Sequence, residues 1–183
     1  GLALEAPLED LTAALAGARG VKGRIEVVPV PAEFTVIIDY AHSPDALENI
    51  LTTVRDFTEG RVLCVFGCGG DRDRGKRAKM GAIASELADY VVVTEPPEAI
   101  IDDILKGMGQ ETPCAVEPDR RKAIRLALAQ AGPGDTVLLA GKGHETEQEI
   151  DGVLYHLDER EEVAEYFAQR PQNRADCPPP PEN

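Results

Sequence analysis

The sequence predicts an α/β domain of the Rossmann-like, doubly wound kind, a mostly parallel sheet with helices on both faces. Three observations carry that expectation. Short apolar runs rich in β-branched residues, TVIIDY (35–40), RVLCVF (61–66), YVVVT (90–94) and TVLLA (136–140), are continuous rather than alternating, as strands buried on both faces are. Between them lie segments with helical spacing: Leu47, Ile50, Leu51 and Val54 within 44–58, Met80, Ile83, Ala84 and Leu87 within 76–88, and Ile124, Leu126, Leu128 and Ala129 within 119–131. Strand and helix in alternation predict parallel crossovers. The length, 183 residues, suits one domain with a sizeable core.

LEDLTAALAGARG (8–20) reads as a helix ended by glycine and IEVVPV (25–30) as a short strand. Ser43 can cap the free N–H groups of the next helix, and Pro44 stands at its first position, where no N–H is needed. Asp119 plays the same capping part for the helix over 119–131. EPPEAIIDDI (95–104) reads as a proline-started helix with a solvated acidic face, since its spacing is not that of a calcium loop. VLYHL (153–157) is a last strand and EREEVAEYFAQR a last helix. Residues 171–183, PQNRADCPPPPEN, are too rich in proline and polar groups to bury apolar surface and read as a disordered tail. The start at Gly1, without an initiator Met, reads as an excised piece of a longer protein.

With 19 basic and 33 acidic residues the formal net charge is −14. No run of Lys and Arg offers a broad basic face, so neither nucleic acid nor an anionic membrane is an expected partner. No apolar stretch approaches a membrane span and no secretory leader is present, which points to the cytoplasm. Cys64, Cys68, Cys114 and Cys177 form no Cys-x-x-Cys pair and the three histidines are scattered, so no metal site and no disulfide framework is indicated. Cys64 and Cys114, inside apolar runs, read as core residues.

Ligands of a parallel sheet collect beyond the C-terminal strand ends, and three polar segments fall there. In DYAHSPDAL (39–47), Asp39 can accept from ribose hydroxyls and His42 can donate to phosphate or stack on a base; alternatively both only organise the turn. In FGCGGDRDRGKR (66–77), glycines let the backbone approach a ligand, while Arg72, Arg74, Lys76 and Arg77 suit a carboxylate or phosphate. The segment fits neither a Walker A loop nor Gly-x-Gly-x-x-Gly. In AGKGHETEQ (140–148), Lys142, His144 and Glu145 stand between glycines, which suits a polar ligand such as an amino acid, or simply a turn into a hairpin.

Taken in order, VKGRIEVV, FTVIIDYAHSPDALENIL, GRVLCVFGCGGDRDRGKRAKMG, VEPDRRKAI, PGDTVLLAGKGHETEQ and DEREEVAEYF resemble the C-terminal domain of the Mur ligases. The likeness is strongest to the branch that adds the third residue of the peptidoglycan stem peptide. It implies an ATP-dependent, Mg2+-requiring amide ligase of three domains, in which ATP phosphorylates the carboxylate of a UDP-MurNAc-dipeptide and the amine of a diamino acid attacks the acyl phosphate. It implies that residues 1–20 are the end of the central ATPase domain or a linker helix and that residues 21–170 are the C-terminal domain. The phosphate-binding loop and the magnesium ligands then belong to the central domain, and no catalytic residue is expected in this chain. Carried over by position, Arg24, Asp39 and His42 resemble the nucleotide contacts. Arg72, Gly141 and Glu145 resemble the contacts to the acceptor amino acid, with Arg72 on a carboxylate and Glu145 on an ammonium group.

One feature departs from the family pattern. Relatives carry an acceptor-specificity loop after a strand like YVVVT, but here Thr94 runs straight into EPPEAIIDDI. The loop is either deleted or has dropped out of the sequence as written. meso-Diaminopimelate is the favoured acceptor, with lysine as the alternative. Other readings are a free-standing nucleotide or amino-acid binding module, a different Mur ligase, or a folylpolyglutamate synthetase relative.

Overall fold

The computed structural model describes residues 7–16, 20–69, 73–150 and 152–169. Six strands form the main sheet: β1 (Glu26–Val28), β2 (Thr35–Asp39), β3 (Val62–Phe66), β4 (Tyr90–Val93), β5 (Cys114–Val116) and β6 (Thr136–Ala140). Their order is β1-β2-β6-β3-β4-β5, and every pairing is parallel except β1 with β2 at one edge. The register pairs Asp39 with Ala140, Val65 with Leu139 and Phe66 with Val93. The C-terminal ends of β2, β6, β3 and β4 therefore stop along one edge, and the loops that leave them meet there.

Both faces are covered, which explains the continuous apolar runs: β3 and β6 are buried at all five positions. Against one face pack α2 (Pro44–Arg55), α3 (Gly75–Leu87) and α4 (Glu98–Leu105), through Leu47, Leu51, Met80 and Ile104. Against the other pack α5 (Arg120–Gln130) and α6 (Glu159–Gln169), through Ile124, Leu128, Val163 and Tyr166. A separate antiparallel hairpin, β7 (Glu147–Ile150) with β8 (Val153–His156), joins β6 to α6, and α1 (Leu8–Ala16) precedes the sheet. None of the described helices is long and apolar enough to cross a membrane.

Capping follows the local chemistry. The Ser43 side chain accepts from the Ala46 N–H at 3.4 Å, with Pro44 in the first turn. The Asp119 carboxylate accepts from the Arg121 and Lys122 N–H groups at 2.9 and 3.4 Å. The ends of α2, α3 and α5 lie within three residues of the expected spans.

Some expectations are corrected. Ala129 is exposed; the buried stripe of α5 is Arg120, Ala123, Ile124, Ala127 and Leu128. Cys114 is exposed on the edge strand β5, not in the core, because a three-residue edge strand has a partner on one side only. β5 was not expected, since CAV is very short. VLYHL forms a strand as expected, in the hairpin that the AGKGHETEQ turn leads into. The glycine end of the first helix and the tail at 171–183 lie outside the described residues.

Candidate functional site

Where the four strand ends stop, a cavity of about 220 Å³ opens, lined by Tyr40 and His42 after β2, Gly67 to Gly69 after β3, Glu95 after β4, and Gly141, Lys142 and Glu145 after β6. The three polar segments singled out by sequence thus converge on one rim.

The turn after β2 is built by Asp39. Its carboxylate is buried and accepts from the Ala41 N–H at 2.9 Å and the Ile25 N–H at 2.8 Å, while its carbonyl accepts from the Gly141 N–H at 2.9 Å. Asp39 therefore organises the rim with groups that the sequence reading offers to a ligand. His42 is exposed, with Nδ1 2.8 Å from the Tyr40 carbonyl. A carbonyl only accepts, so Nδ1 carries the proton and Nε2 is the nitrogen available to a ligand. The Tyr40 ring is the centre of a small platform: His42 stands edge-on at 4.6 Å, His144 at 5.3 Å, and the Arg24 guanidinium over the ring at 4.8 Å.

After β3 the backbone runs close beneath Glu95. A Cβ at Gly67 would stand 2.6 Å from the Thr94 carbonyl oxygen, so a glycine is required there. Gly70, Asp71 and Arg72 lie outside the described residues. Of the basic residues expected to grip an anion, Lys76 does line the cavity, and its Nζ donates to the His42 carbonyl at 3.2 Å. Arg77 does not: it is buried on the first turn of α3 and faces α4, with Nη1 3.0 Å from Asp103 Oδ2. Cys68 also lines the cavity, and burial pushes its thiol above the usual range, so it stays protonated at neutral pH.

The connection from β4 to α4 is residues 94–97 only. Glu95 takes a φ of 105°, a costly backbone conformation of the kind that clusters at functional sites. After β6, Gly141 and Gly143 take φ values of 114° and 55°, which turn the loop back over the sheet edge. Lys142 is buried and its Nζ donates to the Glu147 carbonyl at 2.9 Å and to Glu145 Oε2 at 3.3 Å. Glu145 itself is exposed at the cavity. Among the described residues no cluster of three His, Cys, Asp or Glu could hold a metal ion.

Arg120, also on the cavity wall, was not singled out by sequence. It is 1% exposed, donating from Nε and Nη2 to Glu159 Oε1 at 2.9 and 2.6 Å and from Nη2 to the Ala140 carbonyl at 2.9 Å. The available signal was its place on the apolar stripe of α5, three and four residues before Ala123 and Ile124. His42, Gly141 and Glu145 thus share the cavity, while Arg24 and Asp39 flank it through Tyr40 and the turn.

A family profile described as "Mur ligase, glutamate ligase domain" matches residues 23–143. The UDP-N-acetylmuramoyl-L-alanyl-D-glutamate–2,6-diaminopimelate ligase of Thermosynechococcus vestitus is 51% identical over 178 residues, covering 93% of this chain and 36% of the relative. That of Prochlorococcus marinus is 51% identical over 175 residues, covering 90% and 34%. A solved structure of a ligase of that same name superposes with a TM-score of 0.77 at 38% identity, over 90% of this chain and 35% of the other. This chain therefore spans about a third of the length of the relatives it matches. The alignment to the Thermosynechococcus protein uses 178 positions but only 93% of a 183-residue chain, so that relative carries residues with no counterpart here. On sequence and fold together, the chain belongs to the Mur ligase family, as its glutamate ligase domain.

Proposed function

We propose that this chain is the nucleotide- and acceptor-contacting C-terminal domain of a cytoplasmic, ATP-dependent amide ligase of peptidoglycan synthesis. The reaction adds a diamino acid, meso-diaminopimelate in preference to lysine, to UDP-MurNAc-L-Ala-D-Glu. The observation that carries the proposal is the convergence on one cavity of a stacking and cationic side, Tyr40, His42 and Lys76, with a carboxylate side, Gly141, Lys142 and Glu145.

The γ-phosphoryl group of ATP passes to the dipeptide carboxylate, giving ADP and an acyl phosphate. The acceptor amine then attacks the acyl carbon, phosphate leaves, and the amine loses a proton. Arg24, Asp39 and His42 form the nucleotide side. There Arg24 and His42 Nε2 face anionic or heteroaromatic groups, and Asp39 acts chiefly by holding the turn. Arg72, Gly141 and Glu145 form the acceptor side, in which Arg72 suits a carboxylate and Glu145 an ammonium group. When ATP binds, Mg2+ offsets the charge of its phosphates; the groups that hold the ion and perform the chemistry are assigned to the central domain. The chain alone is therefore without turnover.

Two variants of a ligase carrying this chain test the division of labour. Glu145→Gln should raise the KM for the diamino acid by about tenfold or more with little change in the KM for ATP, and His42→Ala should do the reverse. Equal effects of either variant on both substrates would contradict it.

A further inference from the structure

We propose that Arg160 is a positioning residue that fastens the turn at 22–26 to the loop at 141–145, so that the nucleotide and acceptor sides keep one relative placement. The inference rests on the proposed function for the identity of the two sides. Its geometric basis is independent of that reading.

Arg160 stands in the first turn of α6, and every nitrogen of its guanidinium donates a hydrogen bond. Nε donates to Glu26 Oε1 at 2.8 Å and Nη2 to Glu26 Oε2, a forked pair with the first residue of β1. Nη2 also donates to the Gly143 carbonyl at 3.0 Å, and Nη1 to Asp158 Oδ1 at 3.1 Å. Glu26 passes the constraint on, because its Oε2 accepts from the Gly23 N–H at 2.6 Å. On the far side of Asp158, Lys22 Nζ stands 3.6 Å from Oδ2. One cation thus holds both ends of the Lys22 to Glu26 turn and the middle of the AGKGHE loop.

The two segments it joins are in direct backbone contact. A Cβ on Gly23 would stand 2.2 Å from the His144 nitrogen, and one on Gly143 would stand 2.8 Å from the Gly23 carbonyl oxygen. Within the turn Ile25 takes a φ of 44°, a left-handed conformation that a β-branched residue holds only when its surroundings impose it. Arg24, one residue earlier, lies over Tyr40, and Glu145 lies two residues past Gly143. Displacing either segment therefore displaces a proposed contact on each side. A lysine cannot replace this fork, since a single ammonium cannot reach two carboxylates and a carbonyl in one plane.

The test uses a ligase carrying this chain, with Arg160→Met, Arg160→Lys and Glu26→Gln compared against Glu145→Gln and His42→Ala. Loss of positioning should raise the KM for ATP and for the diamino acid together, by about tenfold in Arg160→Met, with Arg160→Lys failing to restore either. A role in folding alone would lower the Tm and leave both KM values unchanged. That result, or a shift in one KM only, overturns the proposal. If Arg160→Met does not fold, Arg160→Lys and Glu26→Gln give the same decision. If the two reference variants fail to separate the substrates, the functional reading falls, and hydrogen exchange in the 183-residue chain then decides the positioning claim. Arg160→Lys should speed exchange in both 22–26 and 141–145, and unchanged exchange in either segment contradicts it.

Discussion

Gly23 and Gly143 set how closely two loops of the site approach, with φ values of 73° and 55°. At Gly143 a Cβ would stand 2.7 Å from the Tyr40 Cβ and 2.8 Å from the Gly23 carbonyl oxygen, so relief requires backbone movement. Gly143→Ala should therefore cost about 1–3 kcal/mol through strain alone, read by denaturant unfolding, and a change within a few tenths would refute the close-packed loop. At this scale the sequence showed some residues clearly and hid others. His42 and Glu145 stand out because they are polar groups at the ends of apolar runs, where a packing role is not expected. Arg77 was misread because its chemistry matches that of Lys76, and only the helical angle sends it toward Asp103. Arg160 reads as one more charge on an acidic helix, since its partners Glu26 and Gly143 are remote in sequence.

Between elements, α5 and α6 are joined by a buried ion pair, Arg120 with Glu159, exposed by 1% and 0%. Removing one partner leaves a charge without compensation, so Arg120→Met should cost about 3–5 kcal/mol. The double variant with Glu159→Leu should recover much of that, and a double variant no better than the single would show that the pair is not the source of the loss. The Ala140 carbonyl, which Arg120 also holds, would lose its donor in both. The contact between α6 and β1 has a pH signature. The Arg160 guanidinium and the Gly23 N–H hold Glu26 below its usual range against the effect of burial. Burial pushes Asp158 up, but its bonds from the Arg160 N–H and guanidinium outweigh this and lower it. Folded-state values below the unfolded ones mean that stability is present above the usual carboxylate range, near about pH 4, and is lost as pH falls through the lowered values. Arg160→Met should therefore separate most from the parent chain at neutral pH and least at strong acid, in unfolding measured across that range. A constant difference would contradict the assignment.

For the whole molecule, the mostly parallel sheet and the two helical layers were legible because burial on both faces leaves an unbroken apolar run, and β3 and β6 are such runs. The edge strand β5 was not, since so short a strand owes its pairing to its neighbours rather than to its own composition. The net charge of −14 describes the solvated surface, while the cavity gathers Lys76, Lys142 and Arg120 from an acidic chain. The short link from Thr94 to α4 places Glu95 on the cavity wall. The most direct test follows phosphate release by a ligase carrying this chain, given ATP, UDP-MurNAc-L-Ala-D-Glu and either meso-diaminopimelate or lysine, with the 183-residue chain alone as the control. The account predicts release that depends on the diamino acid, greater with meso-diaminopimelate, and none from the chain alone. Release that ignores the diamino acid, or turnover by the isolated chain, would contradict it.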